Sequence, residues 1–166
     1  MPTEQIIKGM ARWMAGLSEA AVITLSKEIF QTYLIDAIRP EIVDTIQFHK
    51  ERNGEVVILS ASMPYICSQF EAQLNLGNSI CSQLEVVEGK FTGRPVGRFC
   101  FGNEKVFRLT SFCEKKGYRL QDAYYYADSI SDYEALNVVG RPVCVSPDKK
   151  LTRAARQKGW TIYNWA

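Results

Sequence analysis

The chain contains a single histidine, His49. Neither a histidine-based metal cluster nor a Ser-His triad can be assembled from it. The acid–base and nucleophilic groups left to it are carboxylates, lysine, serine and cysteine. Its five cysteines, at 67, 81, 100, 113 and 144, include no C-x-x-C pair. An odd, scattered set of thiols suits a reducing cytoplasm better than a disulfide framework, so a cytoplasmic protein is expected. No apolar run reaches the roughly 18 residues of a membrane span. Glu4, Lys8 and Arg12 interrupt any apolar stretch at the start, so no signal peptide is expected. The net charge of +2 exerts no global pull toward nucleic acid or acidic lipid. Repeats, low-complexity tracts and linkers are absent too.

What is present is an ordinary globular composition, 46% hydrophobic and 23% charged, over 166 residues. That is enough for one sizeable domain with a real core. Residues 4–53 read as helices. Ile6, Ile7, Met10, Trp13, Met14 and Leu17 recur at helical spacing. Ser18 is placed to cap a second helix, with Ala21, Leu25, Ile29, Tyr33 and Leu34 on one face. Pro40 opens a third helix that Gly54 ends. From residue 54 the pattern changes. "EVVILS" (55–60) has the mark of a strand buried on both faces, and Pro64 starts a helix through about Leu74. "SICSQLEVVEGKFTG" (79–93) reads as strands about a turn at Glu88-Gly89. The amphipathic run 103–117 ends in Gly117. After it come a strand at 122–128, a short helix, a strand at 142–146, a helix at 148–159 and a terminal strand. Such alternation requires crossover connections and a mostly parallel sheet. The expected fold is thus α/β, Rossmann-like, with a helical region at 1–53 and an α/β core at 54–166.

In open parallel sheets, ligands bind beyond the carboxyl ends of the strands. Ser60 ends the first strand, and Asp128 ends the "YYYA" strand. Asp132 follows one helical turn later, so the two carboxylates can face one point. Two carboxylates at a sheet's mouth suit a hard cation, above all Mg²⁺. Lys105 begins a helix after Gly102, where a cation and free N–H groups can meet an anion. Each residue also has an ordinary reading: Ser60 as a turn residue, Lys105 as a solvated charge, Asp128 and Asp132 as a helix cap and a surface acid. Tyr124, Tyr125 and Tyr126 read as sheet filling, and the cysteines as small core residues.

Taken in order, "VVILSAS", "GNEKVFRL" and "YYYADSISDYEALNVVGRPVCVSPDKKL" resemble the haloacid-dehalogenase-like hydrolases. The likeness is closest to the branch around phosphoserine phosphatase, which carries a helical cap after its first strand. The resemblance covers nearly the whole chain and implies roles. Ser60 and Ala61 would bind the transferring phosphoryl group, Lys105 would neutralise it, and Asp128 and Asp132 would hold Mg²⁺. The implied activity is hydrolysis of a small phosphorylated metabolite through an aspartyl-phosphate. Ala127 stands where many relatives have Gly, and "DYEAL" replaces a commoner D-x-P-x-L.

That chemistry begins with D-x-D-x-T at the end of the first strand, and these 166 residues contain no such motif. Asp36 and Asp44 lie in helical patterns without a second Asp two residues on. The resemblance places the absent strand centrally, between the Ser60 strand and the Asp128 strand. The expectation is an N-terminally truncated hydrolase, inactive alone, whose missing strand comes from an upstream segment or a partner. The rival is a non-catalytic module that binds phosphate or a metabolite, or an interaction subunit.

Overall fold

The computed structural model describes residue 9 and residues 11–165. The expected helical positions Ile6, Ile7 and Met10 lie outside them. The chain divides into two compact units, one ending at Cys100 and the other starting at Phe101.

In the first unit, Ser18 caps helix α1 (Glu19–Ile29), its Oγ accepting from the Ala21 N–H. The helix runs on through a π-helical turn, Phe30–Leu34, and a 3₁₀ turn, Ile35–Ala37. Its buried stripe differs from the expected one. Leu25 and Tyr33 are exposed, whereas Ser26 and Phe30 are buried and Val22 packs inward. These three lie four residues apart, one position off the predicted phase. A buried serine in the stripe misleads any reading based on hydrophobicity. Phe30 closes the stripe edge-on to Phe70, with ring centroids 4.9 Å apart. Trp13, expected on an apolar face, is 78% exposed.

Helix α2 (Pro40–Lys50) opens on its proline, whose missing N–H has no intrahelical partner to lose. It stops four residues before Gly54, and Asn53 takes the left-handed position. Strand β1 (Ile58–Ser60) then crosses over through helix α3 (Pro64–Leu74) to pair in parallel with β2 (Ser79–Cys81). The predicted strand began at residue 55. Only three residues join the ladder because β2 offers only three, and all of β1 is half-buried rather than fully enclosed. The predicted turn is found. Strands β3 (Leu84–Val87) and β4 (Lys90–Pro95) pair antiparallel about Glu88 and Gly89, both at positive φ, the backbone of a two-residue hairpin turn. Residues 16–19 line the hairpin's outer edge: Gly16 N–H donates to Phe91 O, Phe91 N–H to Leu17 O and Glu19 N–H to Gly89 O. Ala11, Leu84 and Phe91 form the buried centre here, with Val22, Met63 and Tyr65 against them.

The second unit is more regular. Helix α4 (Asn103–Lys116) ends at Gly117 in the left-handed region, as expected. Three parallel strands follow, β5 (Tyr124–Ala127), β6 (Arg141–Val145) and β7 (Thr161–Tyr163), in that spatial order. Helices α5 (Tyr133–Val138) and α6 (Lys149–Lys158) are the crossovers. Leu136, Cys144, Leu151 and Ala155 are completely buried between helices and sheet, with Tyr125, Ala127, Trp160 and Ile162 around them. Gly140 is required by close approach: a Cβ there would lie 1.8 Å from the Gln121 carbonyl oxygen. The result is a mixed α/β fold with parallel strands. Among the described residues, β1 and β5 each have one strand partner. No described helix is long and apolar enough to cross a membrane.

Candidate functional site

Ser60 is the last residue of β1, in register with Cys81. Its Oγ accepts from the Ser62 N–H at 3.1 Å, so the chain turns back over the hydroxyl and holds it at the strand's carboxyl end. Ala61 follows directly. The Cys67 thiol is hydrogen-bonded with Cys81 and with Ser60. The Cys81 contact and burial push the Cys67 thiol well above the ordinary range, so it stays protonated. All five cysteines are buried, and none forms a disulfide.

The other predicted residues belong to the second unit. Lys105 lies in the first turn of α4, reached through Gly102 at positive φ. It is 7% exposed, not solvated, and its ammonium pairs with Asp132 Oδ1. Asp132 ends the 3₁₀ turn Ile130–Asp132 and precedes α5. The same Oδ1 accepts the Tyr125 hydroxyl at 2.8 Å. A buried ammonium is tolerable only when paired and hydrogen-bonded, and this carboxylate meets that need.

Asp128 follows β5 directly, with its side chain exposed. Its loop is tied down by a residue that the sequence motifs did not single out. The Asp148 N–H donates to the Asp128 carbonyl at 2.8 Å. The Asp148 carboxylate accepts from Leu151 N–H, capping α6, and from Ile130 N–H, each at 2.8 Å. Those backbone bonds, to Leu151 first and Ile130 next, hold its carboxyl below the usual range. The visible signal was an Asp directly before a helix; its second bond, 18 residues back, had none. Ser146 fastens the same segment to the chain's end, its Oγ accepting from Trp165 N–H and donating to Trp165 O.

The second unit therefore brings Lys105 and Asp132 into contact and carries Asp128 on the same loop. Ser60 and Ala61 belong to the first unit. No three His, Cys, Asp or Glu side chains cluster as a metal site among the described residues.

Residues 4–137 match the haloacid dehalogenase-like hydrolase family. The chain belongs to that family. Its similarities lie in the phosphoserine-phosphatase-like branch. A phosphoserine phosphatase of Mycobacterium tuberculosis is 29% identical over 150 residues, covering 90% of this chain and 49% of that protein. A histidinol-phosphatase of Neisseria meningitidis is 29% identical over 156 residues, 92% of this chain and 70% of that one. The chain spans about half the length of the mycobacterial relatives that it matches. In fold it is similar to a Bordetella pertussis protein of unknown function, with a TM-score of 0.89 and 23% identity over 99% of this chain and 75% of the other. Family membership and the α/β fold thus agree with the resemblance read from the three motifs.

Proposed function

We propose that the chain carries the phosphate-handling and metal-binding residues of a Mg²⁺-dependent phosphomonoester hydrolase that works through an aspartyl-phosphate. The observation that carries this reading is the buried Lys105, paired with Asp132 on the loop that also bears Asp128. A buried cation paired with a carboxylate at a parallel sheet's carboxyl end is costly to maintain for packing alone.

In this reading Ser60 and the Ala61 N–H donate to the phosphoryl oxygens. The Ser60 Oγ accepts from the Ser62 N–H, and its O–H, which otherwise meets the Cys67 sulfur, would turn to the phosphoryl oxygen. Lys105 supplies positive charge where negative charge accumulates on the phosphoryl group and its attacking oxygen. Phosphatases of this family are generally metal-dependent. Asp128 and Asp132 would hold the ion, and the donor set fits: Mg²⁺ is commonly bound by one or two carboxylates, with waters and substrate phosphate completing the shell. When bound, it would withdraw charge from the phosphoryl oxygens. The nucleophile and the acid–base carboxylate are not among these residues, since no D-x-D-x-T occurs in the 166. We assign them to a strand outside this sequence, upstream or from a partner, and residues 1–53 to the cap that selects a small phosphorylated substrate.

The experiment compares the chain alone with the chain supplied with an apolar strand ending in D-x-D-x-T, fused upstream or added in trans. Phosphate release is followed from p-nitrophenyl phosphate, phosphoserine and histidinol phosphate. The chain alone is expected to stay at background, and the complemented chain to turn over only with Mg²⁺. Mg²⁺-dependent phosphate binding without turnover after complementation would favour the second reading, a non-catalytic binding module, which the absent motif keeps open.

A further inference from the structure

Tyr125 is the middle residue of three consecutive tyrosines on β5. Strand alternation turns it away from its neighbours. Tyr124 and Tyr126 stack on one face, centroids 6.2 Å apart, while Tyr125 packs against the Leu136–Cys144–Leu151–Ala155 core on the other. A phenylalanine would fill that core position equally well. What tyrosine adds is the hydroxyl, which donates to Asp132 Oδ1 at 2.8 Å. Lys105 donates to this same oxygen.

Two donors from different elements, strand β5 and helix α4, therefore converge on one carboxylate oxygen. Asp132 itself sits at the end of a short 3₁₀ turn. With the lysine as sole donor, the carboxylate could rotate about its χ2 torsion, which is broad and roughly two-fold, and the long lysine side chain could follow it. A second donor from a rigid strand removes that freedom. It commits Oδ1 to Lys105 and leaves Oδ2 outside this pair of bonds. We infer that Tyr125 is a positioning residue: its hydroxyl fixes the Asp132 carboxylate, and through it the place of the Lys105 ammonium. The inference rests on the phosphatase reading only where it concerns phosphate. The Tyr125–Asp132–Lys105 coupling is independent of it.

The test uses the full chain at low micromolar concentration. An acetylating reagent labels lysine amines, and the rate at each lysine is read by peptide mass spectrometry. Lys50, which donates to the Leu74 and Asn75 carbonyls in the other unit, is the internal control. Tyr125→Phe should raise the Lys105 rate about five-fold, the worth of one ordinary hydrogen bond, and leave Lys50 unchanged. Asp132→Asn should raise it further, and adding Tyr125→Phe to Asp132→Asn should change nothing more, because the hydroxyl acts through that carboxylate. An unchanged Lys105 rate in Tyr125→Phe overturns the assignment. So does a full effect persisting in the Asp132→Asn background. A rise at Lys50 as well as Lys105 also overturns it, since the hydroxyl would then serve general stability. Inorganic phosphate separates the two claims. It should slow Lys105 labelling in the wild type, and about five-fold more should be needed in Tyr125→Phe. If phosphate protects nothing while the labelling cycle behaves as expected, the positioning role stands and the phosphatase reading falls.

Discussion

An ammonium in the first turn of a helix after glycine ordinarily points into water; that of Lys105 points to a carboxylate in the protein. Removing it leaves the part-buried Asp132 with only the Tyr125 hydroxyl. Lys105→Met should therefore destabilise the fold by about 3 kcal/mol, the lower end for breaking a buried pair, as measured by urea denaturation. A loss below about 1 kcal/mol would mean that the pair is effectively solvated. A second prediction at this scale uses the lone histidine. Partial burial, and next the Arg52 charge, hold His49 below its ordinary value of 6.5. Between its folded pKa and 6.5, the unfolded chain binds more protons than the folded one. Stability therefore rises with pH through that window and falls as pH drops through it. With one histidine in the sequence, a single imidazole NMR signal should titrate below 6.5, and Arg52→Gln should move the midpoint up. A midpoint at or above 6.5 would show that burial and the Arg52 charge do not govern His49.

Among the elements, the loop after β5 depends on the residue that caps α6, 18 positions beyond Ile130. Asp148 caps α6 and accepts the Ile130 N–H at the same time. Asp148→Ala should remove both bonds and cost about 1–2 kcal/mol, the upper range for a cap. Hydrogen exchange distinguishes this from an ordinary cap loss: the Ile130 and Leu151 amides should both exchange faster. Acceleration at Leu151 alone would show that the loop holds itself. The hairpin makes the contrasting case. Its turn is local, and Glu88-Gly89 with both residues at positive φ was legible because two-residue loops favour glycine in that backbone.

For the whole molecule, the two parallel sheets matter. Strands β1 (Ile58–Ser60) and β5 (Tyr124–Ala127) are sheet edges among the described residues, and an apolar edge strand is a template on which a further strand can add. The chain alone should melt at low temperature and associate as concentration rises. An added strand ending in D-x-D-x-T should raise the thermal midpoint and phosphate release together. A cooperative, monomeric melt that the strand leaves unchanged would show that the sheets need no further partner, and would favour a self-sufficient binding module.

Much of this protein was determined by its sequence alone. The order of helices and strands from Pro64 to Tyr163, the Glu88-Gly89 turn, the Gly117 stop and the family motifs all rest on local signals. Periodicity, capping and turn chemistry act within a few residues, so a linear reading reaches them. Other features were decided only by the tertiary structure. The buried stripe of α1 runs through Ser26, because packing against Phe70 and the hairpin core chooses the face, not the count of apolar residues. Strand β1 is three residues long because its partner is. Lys105 is buried because Asp132, 27 positions away, receives it, and Tyr125 and Asp148 acquire roles through partners 7 and 18 residues distant. Hydrogen bonds and ion pairs of this kind depend on where folding brings two side chains, which neither periodicity nor turn chemistry specifies.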